Sequence, residues 1–134
     1  VRELEALLER AGPEVDIVQG YKIVRHDPLH RIVIGRVYHY VVKIAFGLGV
    51  RDTDCDFRLI RRAALERVEL VSDTGMICVE MMYKFRRAGW RFVEAPVHHF
   101  QRAHGKSQFF NFPRLFRTFV ALARFWATHV LLGR

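Results

Sequence analysis

Apolar residues along the chain follow two patterns, helical spacing and short continuous runs. The apolar positions Leu4, Leu7, Leu8 and Ala11 predict an amphipathic helix over residues 4–11, and Gly12-Pro13 ends it. The apolar residues Val15, Ile17 and Val18 predict a buried strand over residues 15–20. The chain therefore opens with a helix followed by a strand.

A longer helix follows, with Asp27 as its N-cap and Pro28 at its first helical position. Gly47 and Gly49 are expected to end it. Its apolar residues keep one face, the pattern of an amphipathic helix. They are Val33, Val37, Tyr40, Val41, Ile44 and Leu48.

The second half of the chain alternates between the same two patterns. We predict a short strand over residues 57–60, a short helix over 62–68, and a strand over 90–97 that Pro96 interrupts. Between them, Ser72 or Asp73 is expected to cap a helix that Gly89 ends. Its apolar residues Ile77, Met81 and Phe85 lie four apart.

The stretch over residues 109–132 is rich in Phe, Leu, Val and Trp, but Arg114, Arg117 and Arg124 divide it. Three arginines disfavour a membrane-spanning helix, since each costs a few kcal/mol near the bilayer centre. Two interpretations stay open. The helix lies at a membrane interface with its arginines among phosphates, or it docks on the domain core.

This order of elements predicts an α/β layer architecture. The first strand has no preceding partner strand in the sequence, and a parallel sheet that lacks its leading strands exposes an unpaired edge. We therefore expect a partner half to complete the fold.

Composition adds a preference for anionic partners. The 134 residues are 51% hydrophobic, enough for a real core, and 22 Lys and Arg against 14 Asp and Glu leave a net charge of +8. The aromatic residues cluster in one apolar helix and are not interleaved with cations, which argues against nucleic-acid binding. Cys55 and Cys78 have no paired spacing, so a reducing compartment is expected. The first residues lack a start methionine and a secretory signal pattern, which suggests that the chain is cut at its front.

Three polar clusters are candidates for chemistry, and the first surrounds the end of the first strand. Lys22, Arg25 and Arg31 stand just past that strand and along the next helix, where ligands of α/β sheets bind. They are suited to hold phosphate. A solvated basic surface is the alternative.

The second cluster spans residues 52–58. Its alternating acids do not form an EF-hand loop, because Phe57 replaces the required glycine and Ala63 the final glutamate. Asp52 and Asp54 are a D-x-D pair, suited to hold a divalent ion with a nucleotide diphosphate. Carboxylates that cap helices or pair with arginines remain the alternative.

The third cluster spans residues 98–107. Adjacent histidines on a strand point to opposite faces, which disfavours zinc. Arg102, Lys106 and Ser107, next to a glycine, are suited to clamp a diphosphate. An exposed basic loop is the alternative.

In this order, the three clusters resemble the rear portion of the family 2 glycosyltransferases that act on polyprenyl phosphates, including dolichol-phosphate mannose synthases and their bacterial relatives. The resemblance covers residues 16–22, 52–62, 89–99 and 102–107. It implies the C-terminal part of a GT-A sandwich with a mostly parallel sheet over residues 1–108. An amphipathic membrane-interfacial helix is then implied over residues 109–134.

The resemblance also implies the site. Lys22, Arg25 and Arg31 would bind the acceptor phosphate, although Lys22 stands where the family usually has arginine and Gly35 where it often has serine. The catalytic acids would be Asp52 and Asp54. The donor diphosphate would be bound by Arg102, Lys106 and Ser107.

The implied reaction is an inverting transfer of a sugar from a nucleotide diphosphate to dolichyl or undecaprenyl phosphate, at the cytoplasmic face of a membrane. The nucleotide pocket and the acids that hold Mg²⁺ or Mn²⁺ are expected upstream of Val1. The isolated chain is therefore expected to be inactive without its N-terminal half. The competing hypothesis is a non-catalytic basic scaffold module that binds a membrane surface.

Overall fold

A computed structural model describes residues 2–24, 29–53, 55–98 and 111–133. In chain order its elements are α1 (Arg2–Leu8), β1 (Ile17–Val24), α2 (Leu29–Phe46), β2 (Arg58–Ile60), α3 (Arg62–Glu66), α4 (Ile77–Arg87), β3 (Phe92–His98) and α5 (Phe112–Trp126). A π-helical turn, Ala127–Leu131, extends α5. The predicted mixed α/β class, with its C-terminal helix, is confirmed.

The three strands of the described residues form one sheet in the order β2-β1-β3. Strand β1 runs parallel to β3, with Lys22 opposite Val97, and antiparallel to β2, with Ile17 opposite Ile60. The first strand of the sequence is therefore central. Its two neighbours, β2 and β3, both come later in the chain, so the edges of this described sheet lie on β2 and β3. Completion of the fold by a partner half stays a prediction.

The outer side of β3 is an edge of this sheet, and side chains of α1 and of the turn after it cover part of it. In the parallel ladder, alternate residues of β3 direct their backbone N–H and C=O groups away from β1. These residues are Glu94, Pro96 and His98, and Pro96 has only the C=O group. Arg10 donates to the Glu94 carbonyl at 3.0 Å, and Glu3 accepts from the His98 N–H at 2.9 Å. Pro96 has no N–H to lose, so its place on an edge strand costs no ladder bond.

Helices cover both faces of the sheet. On one face Leu7 of α1 packs with Val18 of β1. On the other face Ile17 packs with Ala64 of α3 and Phe85 of α4. A third cluster joins α2, α4 and α5, and its buried members include Val42, Phe46, Val79, Tyr83, Leu122 and Phe125.

The apolar stripe that periodicity identifies on α2 points away from this core. Five of its six residues are exposed, namely Val33, Val37, Tyr40, Val41 and Ile44. The opposite side of the helix carries Val42 and Phe46, and the Phe46 ring lies 5.9 Å from both Tyr83 and Phe125. Helix α2 is thus apolar on two sides, and only the side that meets the aromatic cluster is buried.

Two of the predicted helix ends are confirmed. Gly47 follows α2 with φ +63°, and Gly89 follows α4 with φ +79°, a region that favours glycine. The predicted cap of α4 is wrong: the helix begins at Ile77, after Met76, with no side-chain cap. The backbone N–H of Ser72 is instead bonded to a glutamate inside the helix.

That glutamate, Glu80, is buried and holds the segment before α4. Its carboxylate accepts from the N–H groups of Val71 and Ser72 at 3.0 and 2.8 Å, and from Nζ of Lys84 at 2.6 Å. Burial opposes ionisation of Glu80, but the hydrogen bonds from Lys84, Ser72 and Val71 outweigh it and lower its pKa to about 2. The ionised carboxylate is therefore a structural anchor.

We expect Glu80→Gln to lower the free energy of unfolding at pH 7 by roughly 2–3 kcal/mol, because it removes a buried charge from three donors. The matched control is Glu66→Gln, which breaks the exposed Arg62–Glu66 pair at the same helical spacing. It should cost less than about 0.5 kcal/mol. Urea denaturation measures both.

The pKa of Glu80 also fixes the pH dependence of this difference. A lowered pKa stabilises the fold above the ordinary value of 4.5, and the stabilisation disappears as pH falls toward 2. The gap in unfolding free energy between wild type and Glu80→Gln should shrink to about half or less by pH 3. An equal gap at pH 7 and pH 3 would contradict the ionised anchor.

Candidate functional site

The candidate site lies at the edge of the sheet where the parallel strands end. Lys22 stands near the carboxyl end of β1, opposite Val97, and β3 ends one residue later at His98. The chain therefore leaves β1 and β3 at the same edge. Ligands of α/β sheets bind outside this edge.

Asp52 is brought to this edge from the loop after α2. Its side chain is buried, with 4% exposure, and Oδ2 accepts a hydrogen bond from the Lys22 N–H at 3.3 Å. Two residues that are thirty positions apart, from two separate motifs, thus meet in the fold. The contact is made by the Lys22 backbone and fixes where this residue stands, and its ammonium group is the one suited to bind phosphate.

A buried amide, Gln19, fixes the loop that carries Asp52. Its Nε2 donates to the carbonyl oxygens of Gly20 at 3.0 Å, Asp52 at 3.3 Å and Cys55 at 2.9 Å. Gly20 permits the close approach, because a Cβ there would lie 2.7 Å from the Phe57 carbonyl oxygen. Hydrogen bonds from the Gln19 side chain to backbone carbonyls therefore hold the loop against the end of β1.

Arg58 completes this network from β2. Its Nε donates to Oε1 of Gln19 at 2.6 Å, and a terminal nitrogen donates to the Thr53 carbonyl at 3.3 Å. The buried Thr53 hydroxyl lies 3.3 Å from Nδ1 of His39 in α2. The motifs of the sequence point to neither Gln19 nor Arg58 as a separate contributor to the site. The signal in the sequence was the polar side chain of Gln19 in a strand predicted to be buried. A buried polar side chain must find hydrogen-bond partners.

A second contact joins this loop to β3. The Arg51 N–H donates to Oε1 of Glu94 at 2.7 Å, and the Arg51 guanidinium lies 4.9 Å from the centre of the Tyr21 ring. The loop start is thereby attached to both parallel strands.

The two cysteines near the site are not suited to nucleophilic chemistry. Burial and the hydrogen bond from Cys78 Sγ to Asp56, at 2.9 Å, raise the pKa of Cys78 to about 11. Burial also raises the pKa of Cys55. Both thiols therefore stay protonated at neutral pH, and reactive cysteines need the thiolate form.

Of the predicted site residues, Lys22 and Asp52 are the two that the structure brings together. Arg31 lies in the first turn of α2, and its side chain is outside the described residues. The remaining predicted residues, Arg25, Asp54, Arg102, Lys106 and Ser107, also lie outside the described residues. Their roles stay predictions.

The described residues at this edge form no group of ligands for a divalent metal. Within residues 2–24, 29–53, 55–98 and 111–133, no three His, Cys, Asp or Glu side chains are grouped to hold an ion. Oδ2 of Asp52 already accepts from the backbone of Lys22.

Helix α5 combines a docked side with an exposed one. Leu122 and Phe125 are buried in the core cluster, so the helix docks on the domain. Phe112, Phe116 and Phe119, spaced four and three apart, are exposed on another face. Among the described helices, none is both long enough and apolar enough to cross a bilayer.

Comparison with known proteins gives three informative relatives. The chain is 25% identical to a polyprenol monophosphomannose synthase of Mycolicibacterium smegmatis, over 79% of this chain and 43% of that protein. It is 32% identical to glycosyltransferase AglD of Haloferax volcanii, over 72% of this chain and 17% of that protein. It is 27% identical to an undecaprenyl-phosphate 4-deoxy-4-formamido-L-arabinose transferase of Pseudomonas aeruginosa, over 80% of this chain and 31% of that protein.

No profile of a known protein family matches the chain, and no solved structure matches it. The chain spans less than half the length of each of these three relatives. One is named a monophosphomannose synthase and two are named sugar transferases, and the names of the first and third include a polyprenol or undecaprenyl phosphate. The matches support the relationship to the polyprenyl-phosphate glycosyltransferases that the motifs of this chain resemble.

Proposed function

We propose that this chain is the acceptor-side part of a glycosyltransferase that moves a sugar from a nucleotide-diphosphate donor to polyprenyl phosphate. The observation that carries the proposal is the meeting of Lys22 and Asp52 at the carboxyl edge of the sheet, with Lys22 N–H bonded to Asp52 at 3.3 Å. The names of the relatives supply the class of acceptor.

In the proposed reaction, an oxygen of the acceptor phosphate attacks the anomeric carbon as the bond to the donor diphosphate breaks, with inversion. The acceptor phosphate is already ionised at neutral pH, so the step needs little help from a general base. Lys22 would offset the charge of the acceptor phosphate. The buried carboxylate of Asp52, fixed by its contact with β1, would orient groups at the reaction centre.

The donor would approach the same edge of the sheet. The segment to which the family resemblance assigns the diphosphate clamp, with Arg102, Lys106 and Ser107, follows β3 directly in the sequence. Cations there would offset the charge that develops on the departing diphosphate. We place no Mg²⁺ or Mn²⁺ on the described residues of this chain, since they do not fit one.

We further propose that the fold is the C-terminal part of a GT-A sandwich. Helices on both faces of a sheet with a parallel β1–β3 pair support this assignment. The nucleotide-binding part would then lie outside the 134 residues.

The exposed apolar faces support the proposal that this protein acts at a membrane surface. We propose that this surface is the cytoplasmic face of the membrane. Helix α2 follows Lys22 in the chain, contains no acidic residue, and presents an outward apolar stripe. The exposed phenylalanines of α5 add a second apolar strip. Apolar faces flanked by cations bind anionic bilayers, where the phosphate of a lipid acceptor emerges.

The role of Lys22 can be tested by the kinetics of sugar transfer, measured in an active enzyme that contains these 134 residues. Lys22→Ala should raise the apparent KM for polyprenyl phosphate at least fivefold and the KM for the nucleotide sugar less than twofold, roughly a 1 kcal/mol loss confined to the acceptor. Lys22→Arg, which keeps the charge, should stay near wild type. Equal effects of Lys22→Ala on both substrates would remove Lys22 from the acceptor site.

Vesicle binding by the 134-residue chain separates the enzyme from the non-catalytic scaffold. We compare vesicles that contain polyprenyl phosphate with vesicles of equal negative charge that contain phosphatidylglycerol. The acceptor proposal predicts binding at least about threefold tighter to the first, a preference that Lys22→Ala abolishes. Equal affinity for the two vesicles would instead support the scaffold, which binds charge without recognising the acceptor.

A further inference from the structure

A groove separate from the Lys22–Asp52 site runs between the segment before α4 and the outer side of α5. Two adjoining cavities of about 410 and 290 Å³ form it, and both are lined by Asp73, Thr74 and Arg117. Gly75 lies close to the helix, since a Cβ there would be 3.8 Å from the Thr118 hydroxyl. The groove therefore follows α5 over much of its length.

Three arginines line this groove along the helix. Arg114 and Arg117 line its first part, and Arg117 and Arg124 its second. All three are exposed, and none forms an ion pair with any residue that the structure describes. One carboxylate, Asp73, faces three guanidinium groups, so the described lining has an excess of positive charge.

Several other exposed arginines of the chain are ion-paired. Arg62 pairs with Glu66, while Arg61 and Arg91 both pair with Asp16. Three like charges that face a single carboxylate on a concave surface repel one another, and an anion in the groove would relieve that repulsion. Guanidinium groups bind phosphate oxygens in a bidentate manner, which makes phosphate the best match.

The second cavity also has an apolar wall. Phe116, Val120 and Ala121 line it beside Arg124, and Phe116 belongs to the exposed phenylalanine face of α5. A ligand that carries both a phosphate and an apolar part would contact both walls. None of the described residues that line the groove belongs to the motifs assigned to the donor or the acceptor.

We propose that this groove is a second anion site, which binds a phosphate-bearing ligand through Arg114, Arg117 and Arg124. The ligand is the headgroup of an anionic phospholipid or a soluble phosphorylated molecule, which share this chemistry. The site is independent of the sugar-transfer proposal, since neither Lys22 nor Asp52 lines it.

Substitution in the 134-residue chain tests the site with two probes, inorganic pyrophosphate and vesicles of phosphatidylcholine with one-third phosphatidic acid. Arg114→Gln/Arg117→Gln should weaken binding of at least one probe tenfold or more. The matched control, Arg2→Gln/Arg62→Gln, removes the same charge from exposed positions elsewhere and should weaken binding less than threefold. Circular dichroism confirms that both double variants fold.

Asp73 supplies a test with the opposite sign. Asp73→Asn removes the carboxylate that faces the bound anion and should tighten binding about threefold. Glu9→Gln removes an exposed carboxylate of the loop after α1 and should change binding less than 1.5-fold. If binding depended only on the net charge of the chain, the two substitutions would change the affinity equally.

The two probes distinguish the sources of the ligand. A selective loss of vesicle binding supports a lipid headgroup, and a selective loss of pyrophosphate binding supports a soluble ligand. Equal losses in the groove and control double variants, or no loss in either, would overturn the site. Equal changes in Asp73→Asn and Glu9→Gln, together with equal losses in the two double variants, would assign all binding to net charge and overturn the site.

Discussion

The hydrogen bonds of one buried side chain, Gln19, determine where the candidate site forms. Its amide donates to three carbonyl oxygens and accepts from Arg58, which ties β1, β2 and the loop at 52–55 together. A buried amide without partners costs roughly 1–3 kcal/mol, so the loop conformation that satisfies Gln19 is strongly favoured. That conformation is the one in which Asp52 meets Lys22.

A second buried polar group has a similar role on the other side of the domain. Glu80 accepts from the N–H groups of Val71 and Ser72 and so fixes the segment that leads into one wall of the arginine groove. In both places an irregular segment is positioned by a side chain from a regular element. Candidate binding surfaces of this chain therefore depend on the packing of its strands and helices.

The sequence predicted the order of helices and strands because periodicity and glycine stops are local properties. The glycines after α2 and α4 are examples. It did not predict which side of α2 is buried, since Val37 and Val42 lie on different sides of a helix that is apolar on both. The choice depends on Phe46 meeting Tyr83 and Phe125, residues distant in sequence.

The part of the site that could be predicted from the sequence consists of residues that belong to recognisable motifs. Lys22 and Asp52 were identified from their motifs, and the fold brings them together. Gln19 was part of a motif, but its role required knowledge of the loop that closes over it. The cap of α4 was misplaced because the N–H of Ser72 bonds to Glu80, a contact that local patterns do not encode.

Hydrogen exchange in Gln19→Leu tests most directly whether this amide positions the site. The account predicts that the amide of Lys22, bonded to Asp52, and the amide of Gly20, bonded to Phe57, lose protection at least tenfold. The amide of Ile17, bonded to the Arg91 carbonyl in the β1–β3 ladder, should keep its protection. Wild-type protection at Lys22 and Gly20 in a folded Gln19→Leu chain would contradict the account.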